Sequence, residues 1–577
     1  MKRIFRIPEL YLAVVLAVLF LFAGWNSPKI SNVRLTQNGV ERPESLPLGK
    51  SMPENAGFQV DMDVSRGIGT DFSLKIIPDD CLESLSIGGE KISVDTIPGR
   101  CDYVNGLVID SDRIPSHLSQ SFPVSMKLRN RGGPGGVSVD IFPQGFERRI
   151  LQTVLIVCFL ALVALLLCRL RLSKPLIALV LFAALFHIFY AFETPYSVRS
   201  NDVDGHVAYI GFVADRFEIP ASDECWTCYH PPVYYAAMAP VWKVAELLEF
   251  PRHRAVQWAT LALSVVFVSA GMFALRFLMR GHALAIAALL WAFWPVLFLI
   301  SPRIGNDQLF FVSHTICLVS LLGYMIKQKS RYLLVGAIAC WISFWTKSTG
   351  VATIGIWCAG FLLGYFPREN FAPRKGELAS LGILFFLCIA ILLRFVFGTD
   401  LVGNAGGLNG GLRVGIEPKN FLYFDLPGFL TEMYTSPWHD EGGRQFFLNY
   451  LAKTSLFGEF RIRTDSVGNW LAACLNFSFV GLAVFAFVGF WKKRLDRFDF
   501  LLLFQAGLFF AAMVALRIRY PFSCSSDFRY IVPVLISFLP FVGWGIFKDG
   551  ASVKWKVLGC LCVFVFAVSS CALYLSL

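Results

Sequence analysis

The stretch NDVDGHVAYIGFVADRFEIPASDECWTCYHPPVYY, Asn201 to Tyr235, sets a carboxylate cluster, two histidines, a Cys-x-x-Cys and a Pro-Pro turn between segments apolar enough to cross a membrane. Ionisable groups at the lip of a bilayer are costly and usually functional, so the fold turns on which face this stretch occupies and whether its flanks cross. The surrounding chain of 577 residues is 55% hydrophobic and 16% charged, with a mean hydropathy of +0.58, which excludes an ordinary soluble globule. A helix needs about 20 mostly apolar residues to span the hydrocarbon. Runs of that kind predict about thirteen transmembrane helices, at residues 8–25, 151–168, 175–192, 255–275, 283–300, 309–326, 332–345, 350–366, 378–397, 470–490, 500–516, 530–547 and 555–574.

The first run follows Lys2, Arg3 and Arg6 and lacks a small-residue cleavage site, so residues 1–25 read as an uncleaved anchor. Residues 26–149 are polar and rich in Gly and Pro, with alternating stretches FQVDMDV, FSLKII and VSVDIF; this patterning predicts a separate extracytoplasmic β-sandwich. Residues 150–577 then form the membrane unit, with outer loops at 193–254 and 398–469. Lys and Arg accumulate in short cytoplasmic loops. With the N-terminus inside, those loops read RLRLSK, RFLMRGH, KQKSR, PRENFAPRK, WKKRLDRFD and KDGASVKWK, all basic. The net charge of +11 is therefore a topology signal, and no nucleic-acid partner is expected. The apolar stretch 231–250, which carries Lys243, Glu246 and Glu249, would invert every later loop if it crossed. It is expected to lie on the outer surface as an amphipathic helix, with 205–217 as its partner. The chain is expected in a bacterial inner (plasma) membrane, with its polar loops on the extracytoplasmic face.

No cytoplasmic loop is large enough for a nucleotide-binding domain, and no Gly-rich loop ending in Lys-Ser or Lys-Thr occurs, which argues against an ATP-driven pump. Ten of the fifteen cysteines fall in apolar spans, where they act as small hydrophobes. Cys81 and Cys101 lie in the β domain on the oxidising side and are expected to pair. Cys225 and Cys228 form either a small disulfide loop or half of a metal site.

Asp202 and Asp204, followed by His206, suit a general base or the coordination of a divalent cation. Helix capping accounts for one of the two carboxylates. At the outer end of the fifth span, SPRIGNDQLFF brings Arg303, Asn306 and Asp307 to the same face, again at a helix start where capping competes. Lys347, in TKSTG, lies at an outer turn, where its ammonium suits a lipid phosphate unless it merely snorkels. Arg394, Arg519 and Arg529, the last in SSDFRYIVP, add cations to that rim and point to an anionic lipid substrate. The stretch PWHDEGGRQFFLNYLAKTSLFGEF, with His439, Asp440, Glu441 and Arg444, reads as a lid or acceptor platform.

From residue 175 to the C-terminus, DVDGH, YHPPVYY, NDQLFF, TKSTG and DFRYIVP together resemble the GT-C superfamily of integral membrane glycosyltransferases, in particular the protein O-mannosyltransferases and the aminoarabinose transferases of lipid A. The resemblance implies a polyprenyl-phosphate-linked sugar as donor. It implies transfer, usually with inversion, to a glycan, lipid or protein acceptor on the non-cytoplasmic face. On that reading Asp202 or Asp204 deprotonates the acceptor, with Asp307 a further catalytic carboxylate, and Lys347 and the nearby arginines stabilise the departing phosphate. Tyr229 and His230, His206, Arg303 and Asn306 bind substrate. His230 stands where some relatives have Lys, and His206 or His230 with the carboxylates would bind a divalent metal if one is used. The hairpin DDCLESLSIGGEKI is similar to those of jelly-roll carbohydrate-binding modules, which implies glycan binding or a structural cap. The competing readings are a transporter or flippase for a lipid-linked sugar, which would place charge near the midplane and show internal repeats, and a glycan-binding scaffold, which would leave DVDGH and ND idle.

Overall fold

The computed structural model describes residues 7–25, 27–67, 71–115, 120–132, 134–367, 372–396 and 410–575. Ten strands form the N-terminal domain: β1 (Lys29–Gln37), β2 (Val40–Pro43), β3 (Leu48–Ser51), β4 (Gly57–Ser65), β5 (Phe72–Pro78), β6 (Cys81–Ile87), β7 (Glu90–Ile92), β8 (Leu107–Ile109), β9 (Ser121–Arg129) and β10 (Pro134–Pro143). They make an antiparallel six-stranded sheet, β2-β1-β4-β9-β6-β7, and an antiparallel four-stranded sheet, β3-β10-β5-β8. Period-2 alternation sends Phe58, Val60, Met62 and Val64 of β4 and Phe122, Val124, Met126 and Leu128 of β9 into one core. The β6–β7 hairpin turns at Gly88 and Gly89, both at positive φ, as a two-residue turn requires. Cys81 and Cys101 are joined in a disulfide.

Alternation in β10 also explains how this domain is seated. Val137, Val139 and Ile141 face the sandwich core, while the buried Ser138 and Asp140 face the other way. There the Ser138 hydroxyl donates to Tyr196 Oη at 3.4 Å, and Asp140 accepts from Arg254 at 3.3 Å. The Lys75 ammonium donates to the Glu193 carbonyl at 3.2 Å. The four-stranded sheet therefore rests on the 193–254 segment.

Helices α1 (Ile7–Trp25) and α2 (Phe146–Arg169) bracket the β domain, and Arg169 pairs with Glu9 at 2.7 Å. After α3 (Lys174–Glu193) come α4 (Val203–Arg216) and α5 (Val233–Leu247), of 14 and 15 residues. These match the two amphipathic helices expected, and both fall short of a spanning length. Their apolar faces meet, with Tyr209 stacked on Tyr235 at 3.7 Å and Ile210, Ala214, Met238 and Trp242 buried. The bundle continues through α6 (Arg252–Leu278), α7 (Gly281–Phe293), α8 (Pro295–Ile300), α9 (Asp307–Lys327), α10 (Ser330–Thr346), α11 (Val351–Tyr365) and α12 (Lys375–Val396). Three short helices follow, α13 (Pro418–Leu422), α14 (Leu426–Thr431) and α15 (Phe447–Phe457), and then α16 (Ser466–Lys492), α17 (Arg497–Arg519), α18 (Leu535–Ile546) and α19 (Val553–Leu575).

The described residues of the expected spans are mostly helical, though the helices differ in length. Nine stretches among the described residues are long and apolar enough to cross, and the helices at the other four positions, α1, α7, α10 and α18, are shorter or shorter in their described apolar part. The reason is local. Trp294 is extended because Pro295 follows it, which splits the expected 283–300 span into α7 and α8. Three 3₁₀ turns over Ser523–Val534, the last containing Pro533, replace the first turns expected from residue 530.

Candidate active site

Four chain segments meet where the bundle faces the β domain: the start of α4, the 301–306 turn into α9, the end of α10, and the 3₁₀ turns before α18. Asn306 precedes α9 and donates from Nδ2 to the Thr346 carbonyl at 3.0 Å. It thereby ties the start of α9 to the end of α10, and Asp307 and Lys347 are held as an ion pair. The Lys347 ammonium lies 4.6 Å from the centroid of Tyr530. The next side chain back, Arg529, pairs with Asp527 at 3.3 Å and donates to the Tyr530 hydroxyl at 3.1 Å. Its Nη2 reaches Asp202 Oδ2 at 4.0 Å.

Asp202 precedes α4 in the left-handed region, at φ 54°, a conformation Asp tolerates better than most residues. Its carboxylate makes no capping bond and instead accepts from the Trp226 indole at 3.1 Å. The capping explanation therefore fails for this residue. Its side chain is 42% exposed, against 11% for Arg529 and 8% for Lys347. An accessible carboxylate thus stands at the edge of a buried cationic floor. Asp204, one half-turn on, is directed elsewhere: its Oδ2 packs beside Gly49 of the β domain, and the Asp79 carboxyl is near enough to feel its charge. Desolvation and the nearby Asp202 hold the Asp204 carboxyl above the usual range.

His206 is buried, bonds through Nδ1 to the Tyr235 hydroxyl at 2.8 Å, and stacks on His230 at 5.7 Å. Burial lowers its pKa to about 4, so the ring is neutral near pH 7. Tyr229 tilts against His230 at 4.1 Å and sits close enough to Asp202 and Arg529 to feel both charges. Arg303 lies over the Phe460 ring at 5.1 Å, and its buried Nε and Nη2 have no protein partner. With Asn201, His206, Asp307 and Arg529 it lines a small cavity of about 20 Å³.

Ten sequence-selected residues, Asp202, Asp204, His206, Tyr229, His230, Arg303, Asn306, Asp307, Lys347 and Arg529, are thus accounted for around this centre, though Asp204 stands at its β-domain edge and Asn306 serves as a brace. Arg519 does not belong to it. It is exposed at the end of α17, against Tyr520, because the helical period turns its neighbour Arg517 inward instead. The buried Arg517 donates to the Gly415 and Gln445 carbonyls and anchors the outer loop. Arg394 lies on α12, but its side chain is outside the described residues, as are residues 397–409. Arg444 is buried and bonds to Asp440 at 2.9 Å, which makes that part of the platform a braced turn. Cys225 and Cys228 are disulfide-bonded, which removes both thiolates from the metal alternative. Among the described residues no three His, Cys, Asp or Glu side chains converge as a metal site.

Sequence reasoning missed Glu459. Its Oε1 accepts from Tyr450 at 2.6 Å and its Oε2 from Asn201 at 3.2 Å, and burial, reinforced by Asp527, pushes its pKa up to about 7. Asp527, the acidic residue of DFRY, is the direct partner of Arg529. Both are single acidic residues in aromatic surroundings, with no local pattern to mark them.

No protein-family model matches the chain, and no curated protein does. Among solved structures, the chain is similar to the oligosaccharyltransferase of Archaeoglobus fulgidus in its apo form (12% identity, TM-score 0.40) and spans 55% of that protein's length with 70% of its own. The same enzyme in complex with an inhibitory peptide and a dolichol-phosphate aligns at 14% identity and TM-score 0.40, covering 70% of this chain and 56% of the other. The arabinosyltransferase EmbB of Mycobacterium smegmatis aligns over 96% of this chain and 65% of its own, at 11% identity and TM-score 0.29. Identities this low and TM-scores below 0.5 leave the functional reading to the site's own residues.

Proposed function

We propose that the protein is a GT-C-type membrane glycosyltransferase that moves a sugar from a polyprenyl-phosphate donor to an acceptor hydroxyl on the extracytoplasmic face, with inversion. The observation that carries this reading is the exposed Asp202 carboxylate 4.0 Å from Arg529, above the buried Lys347–Asp307 pair. Leaving-group chemistry needs buried cations, and acceptor activation needs a carboxylate that solvent and acceptor can reach.

A second feature supports a lipid-linked donor. An apolar groove of about 800 Å³ runs between α15, α16, α17 and α18, lined by Trp294, Phe424, Leu451, Phe487 and Phe510. Phe528 and Ile531, which bracket Arg529 and Tyr530, form part of its wall. An isoprenoid chain in this groove would deliver its phosphate beside Arg529. In the reaction the acceptor oxygen attacks the anomeric carbon, the bond from that carbon to the phosphate oxygen breaks, and the acceptor proton passes to Asp202. The charge left on the phosphate is met by Arg529 and Lys347, and the unpartnered Nε and Nη2 of Arg303 give it further donors. Asp307 holds Lys347 charged and in place until the phosphate arrives. The acceptor is a glycan, lipid or protein hydroxyl.

The test is transfer of radiolabelled sugar from a panel of polyprenyl-phosphate sugars in membranes containing the wild type or Asp202→Asn. Donor consumption by the wild type alone supports the reading. Equal consumption by the variant, or none by either with any donor, removes it.

A further inference from the structure

On the opposite flank of the 193–254 segment, α1, α2, α3 and α6 enclose a cavity of about 430 Å³ under the β domain, with no wall residue in common with the candidate active site. Its walls are mostly apolar, including Leu16, Leu155, Phe159, Trp258 and Ala262. At its β-domain end stand two guanidiniums, Arg148 and Arg254, close enough to repel one another. Arg254 is answered by Asp140 at 3.2 Å. Arg148 donates to the Ala23 carbonyl at 2.6 Å and to the Ser27 hydroxyl at 3.2 Å, while its buried Nε has no partner. Among the described residues no carboxylate lies within ion-pair distance of it. The mouth therefore carries one positive charge in excess, with a donor still unused.

The depth is informative. From Arg148 to Phe159 on α2 is about 16 Å at 1.5 Å per residue, and from Arg254 to Ala262 on α6 about 12 Å. Half of a ~30 Å hydrocarbon core is about 15 Å. With its two guanidiniums at headgroup level, a cavity of this depth would end near the bilayer midplane.

We infer that this cavity is a binding site for one anionic phospholipid of the leaflet on the β-domain side, its phosphodiester held between Arg148 and Arg254 and an acyl chain lying along Leu155, Phe159 and Ala262. Charge selects an anion, and a one-leaflet depth selects an acyl chain over a long isoprenoid. The lipid completes the seat of the β domain, because Arg254 is also the residue that grips β10 through Asp140 and the Ile141 carbonyl. This site is independent of the glycosyl-transfer reading.

The experiment is native mass spectrometry of the full chain, delipidated in detergent and then offered phosphatidylglycerol, phosphatidylcholine, a polyprenyl phosphate or inorganic phosphate. The wild type is expected to retain one phosphatidylglycerol about tenfold more strongly than phosphatidylcholine, the order expected of one charge-assisted contact. Arg148→Gln should lose about that factor, and Ala262→Phe, which fills the chain-binding end without touching the cations, should also abolish retention. If Arg148→Gln does not fold, Ala262→Phe decides alone. Unchanged retention in the folded variants, no retention by the wild type, a preference for polyprenyl phosphate, or equal competition by inorganic phosphate would each overturn the assignment.

Discussion

Lys347 and Asp307 join the end of α10 to the start of α9 through an ion pair covered by the ring of Tyr530. The Lys347 side chain is only 8% exposed, so its charge has little water to fall back on. Removing one partner of such a pair strands the other charge, at a cost of about 3–5 kcal/mol. Lys347→Met should therefore lower the thermal midpoint in detergent as well as abolish transfer. The double variant Lys347→Met with Asp307→Leu should recover most of the stability and none of the activity. Recovered activity in the double variant would mean that the pair only holds two helices together.

Asp202 and Asp204 are two residues apart, yet one faces Arg529 and the other Gly49. If Asp202 is the base, Asp202→Asn loses about 10²–10⁴-fold in kcat, the range typical of general-base removal. Asp204→Asn should stay within about threefold in kcat, since it touches no developing charge. Initial rates at saturating donor distinguish the two. A fall in Asp204→Asn as deep as that in Asp202→Asn would take the role away from Asp202.

Glu459 supplies a pH dependence whose sign can be worked out. Its folded pKa, about 7, lies above its ordinary value of 4.5, with burial as the main cause. The folded state therefore holds a proton that the unfolded chain releases. This contribution is complete below pH 4.5 and declines as pH rises toward about 7, by an amount on the order of 3 kcal/mol. Glu459→Gln should flatten the loss of thermal stability between pH 5 and 8, leaving the variant the more stable protein at pH 8. A variant whose stability falls in parallel with the wild type over that range would contradict the assignment.

Much of the fold was legible because it rests on composition and parity. Lys243, Glu246 and Glu249 marked α5 as a non-spanning helix, and it is 15 residues long, while the basic loops led to the expected order of the remaining helices. The break at Trp294 was readable in principle from Pro295, but the apolar run hid it. The candidate site was legible where residues cluster in short motifs: DVDGH, ND, TKS and DFRY all reach one centre. What sequence could not separate was direction. Asp202 and Asp204 differ through a single left-handed residue, and Arg517 and Arg519 through two positions on a helix whose period turns only one of them inward. Glu459 was invisible because its importance comes from Asn201 and Tyr450, brought in by tertiary packing alone.

The Cys225–Cys228 disulfide bears on Asp202, the proposed base, through the residue it encloses. Trp226, held inside the small ring, donates its indole N–H to Asp202, and Gly205 packs so closely on Thr227 that a side chain there would clash. The loop thus aims Asp202 away from the cap position it would otherwise take. A hydrogen bond to a charged group contributes about 1.5–3 kcal/mol, so Trp226→Phe should slow transfer roughly tenfold or more, with expression unchanged. Treating the wild type with a membrane-impermeant reductant on the β-domain side should slow it comparably, because the opened loop no longer fixes the indole. The same reductant should add little to Trp226→Phe. Wild-type activity that is indifferent to reduction, measured alongside thiol labelling that proves the bond open, would refute this coupling.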